Sequence, residues 1–237
     1  GNYVDAERFD RQALAITKAF YGDTHYKTAL DLTMLGRALL FQRRFGEADT
    51  VLRQALAIRE RVYGPVHPSV ASTLNELGGI AYQLDRYDEA EAYYRRILDM
   101  YHRIYGDHHY LIALATSNLA TAYMGKKDYV RAEAMFRDAV RRYSETQGPA
   151  HFNTAIARIK LGRALLRERR FADAQVETRA GYDILVKQAN PAMSFLQNAR
   201  KDLAAEYDSL GQHSTAERFL AELRDTSTKA ATGVKSR

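Results

Sequence analysis

Residues 63–71 read YGPVHPSVA. Forty-two residues earlier the chain reads YGDTHYKTA (21–29), and forty-two later YGDHHYLIA (105–113). One further step gives QGPAHFNTA (147–155), a blurred fourth copy. Self-similarity at a fixed period of about 20–50 residues marks a solenoid or array, and it must be read before any local motif.

Aligned at this period, the chain falls into columns. One is aromatic through five rows: Tyr3, Phe45, Tyr87, Tyr129 and Phe171, with His213 in the sixth. Three residues on, every row has alanine: Ala6, Ala48, Ala90, Ala132, Ala174 and Ala216. Another column is leucine throughout: Leu35, Leu77, Leu119, Leu161 and Leu203. Its neighbour is always small: Gly36, Gly78, Ala120, Gly162 and Ala204. Each period holds two helical patterns. SVASTLNELGGIAYQL (69–84) places Val70, Leu74, Leu77, Ala81 and Leu84 at spacings of three and four, and YDEAEAYYRRILDMYHRI (87–104) does the same with Ala90, Tyr94, Ile97, Leu98 and Tyr101. A short polar turn separates them, and no segment alternates in the manner of a strand. The expected fold is all-α, a right-handed solenoid of antiparallel helix pairs. The small columns let the backbones of a pair approach, with a large residue of one helix filling the notch in the other.

LNELGG…DRYDEAEAYYRRIL (74–98) and SNLATAY…KDYVRAEAMFRDAV (117–140) resemble the tetratricopeptide repeat. The usual unit is about 34 residues. The longer period, with YGxxHP in the connection, is similar to the repeats of kinesin light chains and of bacterial multi-repeat signalling proteins. The resemblance implies a scaffold for protein–protein interaction, attached to an upstream domain of a larger regulatory protein.

The array is expected over 1–225: a half repeat at 3–20, then repeats at 21–62, 63–104, 105–146, 147–188 and 189–225. The polar segment 226–237 is expected to be a disordered tail. The fourth full row drifts, with Thr178 and Gly181 where larger residues stand elsewhere. The last carries Arg200, Lys201 and Asp202 on its first helix, as a terminal cap requires. Residues 3–20 match a second helix without its first, which predicts that the natural protein continues upstream.

The chain has 237 residues, a net charge of +6 and no cysteine. Disulfides, cysteine-ligated zinc and thiol nucleophiles are therefore excluded. No apolar run approaches the length of a transmembrane helix, and a cytoplasmic setting is the default expectation. His25, His67, His109 and His151 share one column. Stacked repeats hold equivalent residues at least about 8–10 Å apart, too far for one metal ion, so each histidine is read as a joint that sets the start of the next helix. Gly22, Gly64, Gly106 and Gly148 are read as left-handed helix stops, with Asn190 in that place in the last row. No phosphate loop, His-Glu-x-x-His or Gly-x-Ser-x-Gly motif occurs. No cofactor, metal or catalytic residue is assigned.

Two surfaces remain. The turns carry Arg43, Arg44, Arg86, Lys126, Lys127, Arg169 and Arg170, a candidate basic edge for nucleic acid. The first helices carry polar residues at positions that line the concave groove in repeats of this kind: Thr33, Arg37, Asn75, Ser117, Thr121, Lys160, Arg163 and Arg167. Amides pair with an extended backbone and guanidinium groups with carboxylates. The expected ligand is an acidic or mixed peptide in that groove, with nucleic acid on the basic edge as the alternative.

Overall fold

A computed structural model describes residues 2–189 and 191–231 of the chain, with side chains described up to residue 224. Among them every regular element is an α-helix. The helices form two compact units, one ending at Asp107 and the other beginning at His108. The first contains α1 (Tyr3–Tyr21), α2 (Tyr26–Phe41), α3 (Phe45–Tyr63), α4 (Pro68–Gln83) and α5 (Tyr87–Tyr105). The second contains α6 (Tyr110–Gly125), α7 (Tyr129–Gln147), α8 (Phe152–Arg167), α9 (Phe171–Val186), α10 (Met193–Ser209) and α11 (His213–Ala231). Within each unit consecutive helices pack on one another. Even-numbered helices are the first of each pair and odd-numbered ones the second. α11 extends to Ala231, into the segment expected to be disordered, because 225–231 holds no glycine or proline to stop a helix already running. Residues 232–237 lie outside the described residues.

The small columns do what their size predicts. Ala48, Ala90, Ala132 and Ala174 are fully buried. A Cβ added at Gly36 would lie 2.7 Å from Leu52 Cγ, and one at Gly78 would lie 2.7 Å from Tyr94 Cε1. In these two pairs the second helix thus inserts a large side chain where the first has none. In the first unit Leu35, Leu39, Leu52, Leu77 and Ile80 form the continuous interior around this contact. In the second, Ile159, Leu185, Leu196, Leu203 and Phe219 do the same. α1 packs Leu14 against both cores of its unit. Its opposite side leaves Ile16 71% and Phe20 77% exposed. One repeat later, the residue in the column of Ile16 is Ile58, which Ala29 and Leu32 of α2 cover.

The connection that opens the chain's repeat pattern is a two-part joint. His25, His67, His109 and His151 each cap the following helix, Nδ1 accepting from the backbone N–H of Lys27, Ser69, Leu111 and Asn153 at 3.1–3.3 Å. The His67 ring also stacks on Tyr63, with centroids 4.4 Å apart. The glycine before it has positive φ, but the expected left-handed helical geometry is not what is found. Gly64 has φ 79° and ψ 169°, and Gly22 and Gly148 are similar. In this region, open essentially to glycine alone, an asparagine would not be the next best choice; Asn190 itself lies outside the described residues. The left-handed conformation occurs instead in the turn within each pair, at Arg43, Asp85, Lys127, Arg169 and Gly211, with φ of 58–73°.

These geometries predict opposite responses to substitution. Nothing lies within 4 Å of a Cβ at Gly64, so Gly64→Ala should lose about 1–3 kcal/mol purely from backbone torsion. Lys127→Gly should gain up to about 1 kcal/mol by relieving a left-handed side-chain position. His67→Ala should lose about 1 kcal/mol of capping, and His67→Asn should restore most of it. Urea denaturation of the three sites gives the comparison; a neutral Gly64→Ala would contradict the torsional account.

Candidate peptide-binding face

The eight candidate residues divide between the units, and their surroundings differ. In the first unit Thr33 is buried, and its hydroxyl donates to the Ala29 carbonyl of its own helix at 2.7 Å. It offers nothing to a ligand, because its position on α2 turns it into the helix pair. Arg37 is committed to Glu76 of α4, Nε lying 2.6 Å from Oε1. Burial pushes the Glu76 carboxyl above its usual range, with Arg37 acting against the shift. Asn75 is half-buried on α4 beside that pair in sequence.

In the second unit the five remaining residues come together along α6 and α8. Arg163 donates to Asp202 of α10 from both Nε and Nη2, at 2.9 and 2.7 Å. Burial nevertheless outweighs that guanidinium and raises the Asp202 carboxyl. Among the described residues Lys160 Nζ has hydroxyl partners only, Ser117 Oγ at 3.3 Å and Thr121 Oγ1 at 3.4 Å. Desolvation, then the charge of Arg163, pushes this ammonium down to about 8. Arg167 is exposed at the end of α8. Its charge reaches Asp202 at long range, but it forms no ion pair among the described residues. The face of α6, α8 and α10 therefore presents hydroxyls, one internally neutralised arginine and two cations without a paired anion.

Three of the five turn arginines, Arg44, Arg86 and Arg170, are held in ion pairs. Arg44 bonds Glu47 and reaches back to Glu7 at 2.6 Å. Arg86 bonds Asp49 at 3.0 Å, and Arg170 bonds Asp173 and Glu133. Each pairing to the preceding repeat spans 37 residues. The edge read as basic from sequence is thus a set of internal ion pairs at these positions. The acidic residues just after each turn also sit in the first turn of α3, α5 and α9, where they complement the helix dipole.

Two buried polar residues are not singled out by the sequence pattern. Arg59 stands where Tyr101 and Tyr143 stand in later rows. It is buried, and Nη1 donates to the Ser69 carbonyl and to Thr73 Oγ1 at 2.8 and 2.7 Å, fastening α3 to α4. Glu206 occupies a column otherwise filled by Ala38, Ile80, Ala122 and Ala164, and it is fully buried. Thr178 Oγ1 donates to its Oε1 at 2.7 Å, while Oε2 has no hydrogen-bond partner. This explains the drift in the fourth row. Thr178 replaces an aromatic ring to meet Glu206, and Gly162 is required because a Cβ there would overlap the Thr178 hydroxyl. The one sequence signal is an acid in an apolar column.

An array of antiparallel helix pairs with interlocked small and large columns, and with a polar face along its first helices, defines an α-solenoid repeat protein. The chain belongs to the tetratricopeptide repeat family, whose sequence profile matches residues 1–61, 35–103, 69–123 and 111–176. No curated protein matches it in sequence. Among solved structures it is similar to BtubC (BKLC) of P. vanneervenii, at 16% identity and a TM-score of 0.78, over 100% of this chain and 95% of that one. A putative kinesin light chain of Podosopora anserina with nearly identical TPR-like repeats aligns at 19% identity and 0.67, covering 87% and 98%. NprR in complex with its cognate peptide NprX aligns at 14% and 0.69, covering 96% and 67%. At these identities the likeness is one of fold. No helix among the described residues is long and apolar enough to cross a membrane, and no three metal-ligating side chains cluster among them.

Glu206 sets a pH dependence of stability. Desolvation is the main cause that pushes its carboxyl up to about 8, with the Thr178 hydrogen bond opposing. The folded chain therefore holds a proton that the unfolded chain releases at about 4.3. The contribution of Glu206 to stability should be full below that value and should be lost as pH rises from there through about 8, while the ion-paired carboxylates Glu7, Asp49 and Glu133 act in the opposite sense at lower pH. Glu206→Gln keeps an acceptor for Thr178 and should flatten this part of the profile. Thermal melts at about pH 5, 7 and 9 test the assignment; an equal decline in both proteins would refute it.

Proposed function

We propose that this chain is a non-catalytic protein-interaction module that holds an extended peptide, acidic or mixed in charge, along the first helices of its repeats, on the face of α6, α8 and α10. The carrying observation is the pair of cations on α8, Lys160 and Arg167, that have no paired anion among the described residues, while Arg163 is neutralised by Asp202. A hydrated, purely structural surface has no need to hold a desolvated ammonium among hydroxyls. The fold also supports the reading, since NprR, crystallised with a cognate peptide, shares it. Arg37 and Arg163 serve here as struts between neighbouring first helices, and the ligand-facing charge is carried by Lys160 and Arg167.

Selection of a displayed random-peptide library on the intact chain tests the proposal. Retained peptides should lose at least about tenfold in affinity, some 1.4 kcal/mol, on Arg167→Glu. They should be unaffected by Val130→Asp on the exposed side of α7. Retention of no peptide, or equal sensitivity to both substitutions, would overturn it.

A further inference from the structure

Neighbouring first helices are joined by rungs that span 39 residues. In the first unit the rung is Arg37 to Glu76, and at the end of the second it is Arg163 to Asp202. Both run from a cation on the earlier helix to a carboxylate on the later one. Between α6 and α8 the same rung is Thr121 to Lys160. Here the cation stands on the later helix, and the earlier one offers a hydroxyl where the reversed rung needs a carboxylate. Ser117, one turn before Thr121, adds a second hydroxyl and no charge.

A desolvated ammonium with neutral partners is unfavourable, because two long hydrogen bonds to hydroxyls do not replace its hydration. The repeat pattern shows how simply the defect would be mended, by one carboxylate at position 121. Lys160 and Thr121 are both half-buried, so the unmatched rung reaches the surface of the face. Arg167 lies seven residues further along α8, two turns or about 10 Å away on the same side. Asp202, the nearby carboxylate, is occupied by Arg163.

We propose that Lys160, with the hydroxyls of Ser117 and Thr121 around it, is a carboxylate-binding subsite, filled by an aspartate or glutamate side chain of a bound peptide that completes the rung the chain leaves open, with Arg167 taking a second acidic group. This rests on the peptide-binding reading and narrows it: it assigns the acidic specificity to one lysine and states what the missing partner is.

The probe is a fluorescein-labelled hexaglutamate peptide, amidated at its C-terminus, with the isosteric hexaglutamine and a phosphoserine hexapeptide as separate arms. On the intact chain, hexaglutamate should bind saturably and more tightly than hexaglutamine. Lys160→Met should weaken hexaglutamate at least about tenfold, while Lys160→Arg should stay within about threefold. Tighter binding of the phosphoserine peptide than of hexaglutamate, also lost in Lys160→Met, would assign the subsite to phosphate and overturn the carboxylate assignment. Thr121→Glu gives the decisive variant, because it supplies the missing anion from within. It should raise the melting temperature at neutral pH and abolish hexaglutamate binding together. A Thr121→Glu chain that still binds hexaglutamate as wild type does would sink the proposal, as would equal binding by wild type and Lys160→Met. Should either substitution unfold the chain, the ε-carbon resonance of Lys160 in wild type must move on saturation with hexaglutamate, and its absence of movement counts against the subsite. Library-selected peptides that are sensitive to Arg167→Glu but indifferent to Lys160→Met would leave the peptide face standing and remove only this subsite.

Discussion

The close approach of two helices at a notch is the constraint on which each repeat depends. Tyr94 occupies the space that a Cβ on Gly78 would need, and Leu52 does the same at Gly36. Glycine inside a helix costs about 1 kcal/mol relative to alanine. The inserted side chain, buried against leucines that are themselves inaccessible, offsets it with about 1.5–3 kcal/mol of hydrophobic transfer. Once that contact is set, the turn inside the pair must be tight. The chain then accepts left-handed backbone at Arg43, Asp85, Lys127 and Arg169, residues with no intrinsic liking for it. The joint between pairs follows from the same demand. A helix must stop sharply after Tyr63 and restart at Pro68, and Gly64 and His67 divide that work between a backbone only glycine adopts and a cap from an imidazole nitrogen.

With the interior fixed by packing, charge is free to vary from row to row, and here the rows acquire different meanings. Ion pairs spanning 37 residues along the turns and 39 residues along the first helices recur wherever the two columns hold opposite charges. Surface pairs contribute little stability each, about 0–1 kcal/mol, and where the carboxylate is largely buried, as at Glu76 and Asp202, desolvation offsets the attraction. Their larger consequence is to remove cations from availability. An arginine counted from sequence as a ligand contact is a different object once a carboxylate of the next helix holds it in two-pronged fashion.

That distinction separates what is legible in the sequence from what is not. Helix positions, the pairing of small with large residues and the capping role of the histidines all follow from a period that can be counted, because each concerns residues within one repeat or directly across a turn. The state of a groove residue depends on its partner about forty positions away, and on whether the helix turns it inward. Thr33 and Thr121 look alike in sequence, and each donates its hydroxyl to the carbonyl four residues back in its own helix; Thr33 is buried, whereas the half-buried Thr121 oxygen also accepts from Lys160. Glu206 is hidden by an opposite expectation, that polarity in the last row means a water-facing cap. Its column, otherwise Ala38, Ile80, Ala122 and Ala164, points inward in every row.

The fourth row shows the two principles meeting in one helix. On its inner side α8 gives up bulk at Gly162 so that Thr178 can reach a buried, protonated Glu206, and only one carboxyl oxygen of that acid is left unmatched. On its outer side it carries Lys160, which finds hydroxyls and no anion, beside Arg163, which finds a carboxylate. The inner departure from the repeat pattern is compensated by coordinated residues, save for one carboxyl oxygen, and the outer one meets two hydroxyls and no anion among the described residues. The array makes the charge match inside itself at the neighbouring rung, from Arg163 to Asp202, and among the described residues it does not make it at Lys160.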